Sequence, residues 1–375
     1  MKKILFVASF LLLLFVVSVL PARAQETSVP ITETIYGKIT DIVEQEAPVG
    51  LDISILKYTV QVKEGGEDKT IESVISTLPD FLTAGYQIGD KVVVNKITTP
   101  DDVVTYNIVD YVRTTPIFVL LAIFVVVTVL VAKRKGILSL IGLVFSFIII
   151  FKLILPSILS GNNPVLITLI AASIMIPINF YLAHGLNRKT TYAVVSTIIT
   201  LILTGILSII FVNWAKLTGF TSDEAGFLQA MTNGVINIKD LLLAAIIIGA
   251  LGILDDITVS QSSIANQLKA TNPKIKFEEL FLRTLEVGKD HIASLVNTLI
   301  LVYTSTALPL LLLFLNNNES FLETVNREVV AQEIIQTLIA SIGLIAAVPI
   351  STLIAAYFIS KQKHVKADDH SAHHH

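Results

Sequence analysis

Two adjacent carboxylates, Asp255 and Asp256, stand inside a run that is otherwise almost uncharged, LLLAAIIIGALGILDDITVSQSS. A carboxylate at bilayer depth is expensive and usually marks an ion or proton path. Two ionised carboxylates this close repel, and sharing a proton or a cation relieves them. On a helix, Gly249, Gly252, Asp256, Ser260, Ser263 and Gln267 recur every three or four positions and share one face. Asp255 lies about 100° around from Asp256, with Gly252, Val259 and Ser262. Small residues followed by polar ones suit a neighbouring helix or a water-filled cavity better than lipid.

A second polar pattern lies downstream. Asp290, Ser294, Asn297 and Thr304 fall on one side of a helix, with His291, Thr298 and Ser305 beside them. The two helices run in opposite directions. With the inner surface near Asn266 and Gly288, Asp256 lies about ten residues deep and Asn297 about nine, a difference of roughly a couple of ångströms. Spacing therefore predicts that Asp256 and Asn297 meet in the inner half of the bilayer, with Asp290 and His291 at the mouth. Pro177, beside Asn179, and Pro349 are expected flexible points. Thr197, Thr200, Thr204 and Ser208 form a polar stripe that reads as helix packing. His184 and His291 read as interfacial residues, so no metal is assigned.

The elements carrying these residues are membrane helices. The chain has 375 residues, 53% hydrophobic and only 15% charged, against about 25% charged in a soluble domain. A net charge of −3 points to no nucleic-acid partner, and the absence of cysteine excludes disulfides, thiolate metal sites and cysteine nucleophiles. Residues 1–24 read as a signal peptide, with Lys2 and Lys3, an apolar stretch, then Ala22-Arg23-Ala24 as a cleavage site; an uncleaved first membrane helix is the competing reading. From Pro116 onward about seven apolar runs, near 116–132, 136–155, 164–184, 191–213, 240–265, 290–315 and 334–360, suffice to cross about 30 Å of hydrocarbon. Basic residues alternate with them: Lys133-Arg134-Lys135, Arg188-Lys189, Lys269 to Lys289, and Lys361 to Lys366 lie in loops of one side. The positive-inside rule makes that side cytoplasmic. Between the runs, Thr221-Ser222-Asp223-Glu224 should open a short outer helix. Asn272-Pro273 should open an amphipathic one with Phe277, Leu280, Phe281 and Leu285 as its apolar stripe.

Residues 25–113 are of another kind. Thr34 to Val43, Tyr58 to Val62, Thr70 to Val74, Lys91 to Ile97 and Thr105 to Tyr111 alternate like strands, punctuated by Gly65-Gly66 and Gly89-Asp90. They predict a small β-barrel of OB or SH3-like kind, outside the membrane. No aromatic platform or basic groove is evident along the sequence. The fold expected is thus a polytopic α-helical membrane protein with an N-terminal extracytoplasmic β-barrel-like domain: a signal peptide (1–24), a β-rich domain (25–113), a seven-helix domain (114–361) and a cytoplasmic His-rich tail (362–375).

Two blocks, GALGILDDITVSQSS and EVGKDHIASLVNTLILVY with ALPLLLLF, and a weaker third, AHGLNRKTTYAV, resemble the YibE/F family of bacterial membrane proteins. The likeness runs from about Tyr111 to Lys361. GILDD with VGKDHIAS and VNTL is similar to the branch of that family carrying a double aspartate; another branch has one acid, at the position of Asp256. The resemblance implies a multi-pass protein of the bacterial inner membrane and assigns no substrate or catalytic residue.

Three function classes follow. The first is a permease for a small solute or ion, coupled to protons or a cation. Asp256 would be central, Asp255, Asn297, Asp290 and His291 would line the path, and Gly249, Gly252, Ser260, Ser263 and Ser294 would support the helix faces. The second is a non-transporting sensor or assembly factor whose β-domain binds an extracytoplasmic protein partner. The third, an intramembrane enzyme, is disfavoured: no serine–histidine dyad, H-E-x-x-H or phosphate-cradling glycine loop is visible, and no cofactor is expected. The oligomeric state is not legible in the sequence.

Overall fold

The computed structural model describes residues 31–45, 54–64, 66–77, 85–99, 101–316 and 320–362. The expected signal peptide and all of the His-rich tail but Gln362 lie outside these residues. Two compact units, Met1–Ile123 and Phe124–His375, divide the chain.

In the first unit, β1 (Ile31–Gln45), β2 (Ser54–Glu64), β3 (Glu67–Thr77), β4 (Lys91–Thr98) and β5 (Val104–Tyr111) form an antiparallel sheet in the order β3-β2-β1-β4-β5. β1 is long enough to serve two neighbours. Residues 31–38 pair with β4 and residues 37–45 with β2, and an irregularity between Ile39 and Asp41 bends the strand from one to the other. The sheet curls until its edges meet: Ile108 N–H donates to Ser73 Oγ at 3.1 Å and Lys69 Nζ to Tyr106 Oη at 3.1 Å. This is the partly open five-stranded barrel expected from the strand spacing. Ile39, Val60, Val62, Val92 and Val94, alternate residues of β1, β2 and β4, fill it, and beside them Tyr86 meets Tyr58 edge to face and Tyr111 at a tilt.

Helical structure begins with α1 (Thr114–Ile149), followed by a π turn (Ile150–Ile154) and α2 (Leu155–Leu159). At 1.5 Å per residue, the 46 residues from Thr114 to Leu159 would reach about 69 Å, over twice the hydrocarbon thickness. The helix does not run straight. Lys133 is non-helical at φ 49°, and a Cβ on Gly136 would sit 2.5 Å from the Thr128 carbonyl oxygen, eight positions back. A straight helix would hold those positions about 12 Å apart, so the chain reverses at Lys133-Arg134-Lys135.

Then come α3 (Pro164–His184), α4 (Arg188–Trp214), the short α5 (Asp223–Met231) and α6 (Ile238–Thr271). Asn163, Asn187, Ser222 and Asn237 cap their N-termini, each side chain accepting a backbone N–H three residues on. α7 (Phe277–Thr306), α8 (Leu308–Asn316), α9 (Phe321–Asn326) and α10 (Glu328–Ser360) complete the chain. Among the described residues, five segments are long and apolar enough to cross a membrane, and α7 with α8, bent by 65°, makes a sixth if the pair is one span. Divided at Lys133, the first segment supplies two arms, which accounts for the seven helices read from the sequence.

One boundary differs from expectation. The amphipathic stretch at Phe277 and the membrane helix expected from 290 are a single helix, because nothing between them breaks it. The break comes at Ala307, where Pro309 removes a backbone donor and crowds the preceding turn.

α6 is the central helix, packed against α3, α4, α7 and α10. Ile247, Leu254, Ile257, Leu344, Ala347 and Val348 are buried around it. Thr197 and Thr258 hydroxyls bond at 2.6 Å between α4 and α6, and Thr352 donates to Gln261 at 3.0 Å between α10 and α6. Small residues set the spacing. A Cβ on Gly288 would collide with Val348 Cγ1 and lie 2.9 Å from Gln261 Nε2, so α7 approaches α6 and α10 there with no side chain between. The stripe on α4 is structural, as expected: Thr197, Thr200, Thr204 and Ser208 are buried and donate to carbonyls four residues back.

Candidate functional site

The aspartates lie midway along α6 and line a cavity of about 430 Å³. Its walls come from three elements: Ser139, Gly142 and Ser146 on the arm of α1 after Lys133; Asn179, Ala183 and His184 on α3; Asp255, Asp256, Val259 and Ser260 on α6. The depths agree. Ser139 to Ser146 spans about 10 Å along α1, and His184 to Asn179 and Ser260 to Asp255 about 7.5 Å each. Ser139, His184 and Ser260 therefore mark one end, nearer the basic loops at Lys133 and Arg188, and Ser146, Asn179 and Asp255 the other.

A hydrogen-bond chain joins two of these walls. Ser146 Oγ donates to the Gly142 carbonyl at 3.1 Å and accepts from Asn179 Nδ2 at 2.8 Å. The pair can approach because position 142 is glycine: a Cβ there would sit 3.1 Å from Asn179 Oδ1. With Nδ2 committed to Ser146, Asn179 Oδ1 is buried and has no hydrogen-bond donor, and Asp255 Oδ1 is in the same condition. Asp256 is exposed. Two buried acceptor oxygens at the site thus lack a donor, a polarity that suits a proton or a cation. Among the described residues, no group of three or more His, Asp or Glu is placed to hold a metal.

The residues singled out from the sequence separate into two sets. Asp255, Asp256 and Ser260 share the cavity, joined by Asn179 and His184. Gly249 and Gly252 lie on the exposed-to-intermediate side of α6, with Gly249 facing Tyr303 Oη of α7 at 3.6 Å from its Cβ position. Ser263, half-buried, is not among the lining residues.

The meeting of Asp256 with Asn297 does not occur. Asn297, Ser294 and Asp290 are exposed, His291 is half-buried with Nδ1 lacking a partner, and none of the four lines the cavity. Gly249 lies opposite Tyr303 and Gln261 opposite Gly288, which places Asp256 nearly level with Ser294, about three residues from the expected Asn297. The rotation about the helix axis differs as well, because Asp256 turns toward α1 and α3 while α7 packs on another side of α6. Pro177 and Pro349 lie inside continuous helices α3 and α10.

Sequence reading missed the α1 wall. Ser139, Gly142 and Ser146, spaced three and four apart, carried the signal used for α6: a stripe of small and polar residues on an otherwise apolar helix.

Comparison with known proteins gives one positive result. No curated protein and no solved structure matches the chain. The family described as YibE/F-like protein matches residues 120–361, a span that includes every wall of the cavity and both polar helices. The chain therefore belongs to the YibE/F-like family of membrane proteins.

Proposed function

We propose that this protein is a permease-like carrier of a small solute or ion, coupled to protons or a cation through Asp255 and Asp256. One observation carries the reading: two adjacent carboxylates on the central membrane helix line a cavity whose other polar atoms come from two further helices. A structural acid pair would be expected to sit against donors; Asp255 Oδ1 has none. In this reading Asp256 takes up the coupling ion, Asp255 shares it, and Asn179, Ser146 and Ser260 replace part of its water shell. Loop charges support a bacterial inner-membrane placement with the β-domain outside and α10 ending in the cytoplasm.

The test is flux in proteoliposomes containing the full chain. Imposed proton and sodium gradients are each combined with panels of small anions, cations and neutral solutes. Asp256→Asn should abolish coupled flux and Asp255→Asn should reduce it. Flux identical in wild type and Asp256→Asn under every gradient would sink the proposal. Deleting residues 25–113 separates this reading from a partner-binding sensor, because a carrier retains flux without the β-domain.

A further inference from the structure

We propose that the outer face of the β-sheet, beside the first turn of α1, binds the phosphate headgroup of an anionic phospholipid. No basic groove is evident along the sequence because its components lie far apart, and the strand register assembles them. Lys38 of β1 stands directly opposite Lys91 of β4, and on its other side opposite Gln61 of β2. Lys63 is two positions from Gln61 and so projects from the same face. All three lysines are exposed and line a concavity of about 770 Å³ with Tyr36, Gly37, Thr114 and Phe118.

The charges do not balance within the protein. Asp68 lies opposite Lys63 and is the carboxylate among the described lining residues. Among the described residues, neither Lys38 nor Lys91 is in an ion pair, whereas Lys57 on the same face is matched by Glu72 at 2.7 Å and Lys96 by Glu33 at 3.2 Å. Like charges directly opposite across a ladder destabilise it, so the Lys38–Lys91 pair calls for an anion between them. The positive end of α1 adds to the field.

Position selects a lipid over a free anion. Phe118 is 66% exposed and Tyr36 60%, and Ile117, Leu120 and Leu121 continue the apolar surface along the helix. A headgroup held by the lysines would lay its chains along that helix, with the aromatic rings at the interface between them.

The test uses the full-length chain in neutral-detergent micelles, with fluorophore-labelled phosphatidylglycerol as probe and labelled phosphatidylcholine for comparison. A basic residue near a lipid surface contributes about fivefold in affinity, so Lys38→Gln with Lys91→Gln should weaken phosphatidylglycerol binding roughly 25-fold and leave phosphatidylcholine binding unchanged. Lys57→Gln with Glu72→Gln removes an internally neutral pair from the same face and should change neither. Thermal unfolding of each variant confirms folding. Equal binding of the two lipids by wild type would overturn the proposal, as would a phosphatidylglycerol preference that survives the double lysine substitution. Inorganic phosphate displacing the labelled lipid at comparable concentration would overturn the lipid assignment in favour of a free anion.

Discussion

Replacing Asn179 by leucine should disturb this protein less than replacing its smaller partner Ser146 by alanine. Asn179 Nδ2 donates to Ser146 Oγ at 2.8 Å, while Asn179 Oδ1 is buried and unbonded. Ser146→Ala removes the acceptor and strands Nδ2 as well, a cost of about 1–3 kcal/mol for a buried unsatisfied group. Asn179→Leu loses the same bond, which between membrane helices averages about 0.6 kcal/mol. It also removes both polar ends from the apolar wall, including the oxygen that already lacks a donor. Leucine has nearly the shape of asparagine, and Gly142 leaves room for its branch. The net change should stay within about 1 kcal/mol. At about 2 kcal/mol, Ser146→Ala should lower the melting temperature by roughly 4–8 °C, and Asn179→Leu by no more than about half of that. Thermal unfolding in detergent reads both. The opposite order would show that Oδ1 has a partner in the folded protein and that the account of the cavity wall is wrong. Flux should fall in both variants, because each removes an oxygen from the proposed ion path.

Other perturbations probe the same architecture. Asn297→Ala and Asp290→Asn should leave coupled flux within about twofold of wild type, since neither residue lines the cavity; losses like that of Asp256→Asn would return α7 to the path. Gly288→Ala should destabilise by about 1–2 kcal/mol, the cost of overpacking exceeding the gain in helix propensity, and Val348→Ala should recover part of it; additivity in a double-mutant cycle would refute the contact. The box that starts α9 should depend on pH. Hydrogen bonds from the Ser320 backbone and hydroxyl hold Glu323 below its usual carboxylate range, so its contribution is present at neutral pH and fades as pH falls through that depressed value. Amide protection over residues 320–326, corrected for the intrinsic exchange rates, should fall on acidification in wild type and stay level with pH in Glu323→Gln.

What the sequence made legible was set by how local each signal is. Strand alternation located all five strands, and Lys133-Arg134-Lys135 located a reversal whose backbone break is now visible. The cap at Ser222 and the structural role of the α4 threonines were likewise contained within a few residues of chain. The relative level of two helices was legible only to within about a turn, because counting from assumed helix ends carries any error in those ends. Rotation about the helix axis is a different quantity. It is fixed by which small residues let which helices approach, so Gly288 against Val348 and Gly142 against Asn179 decided that Asp256 faces α1 and α3. Neither contact leaves a trace in spacing alone. The lysine face was hidden for a similar reason, since Lys38 and Lys91 become neighbours only through strand register.

The π turn at Ile150–Ile154 continues the helix that forms one wall of the cavity. A π turn holds one residue more than an α turn, so the arm that carries Ser139, Gly142 and Ser146 contains a residue of slack. Moving that slack toward the N-terminus, past Ser146, would turn the segment it crosses by about 100° while the ends of the helix stayed in place. The bond from Asn179 to Ser146 would open, and a lipid-facing side chain would enter where a hydroxyl had been. Deleting one residue from Ile150–Ile154 would remove the slack and lock the wall as an unbroken helix. Such a shift would act like a clutch, changing the cavity's lining without any helix having to slide or tilt.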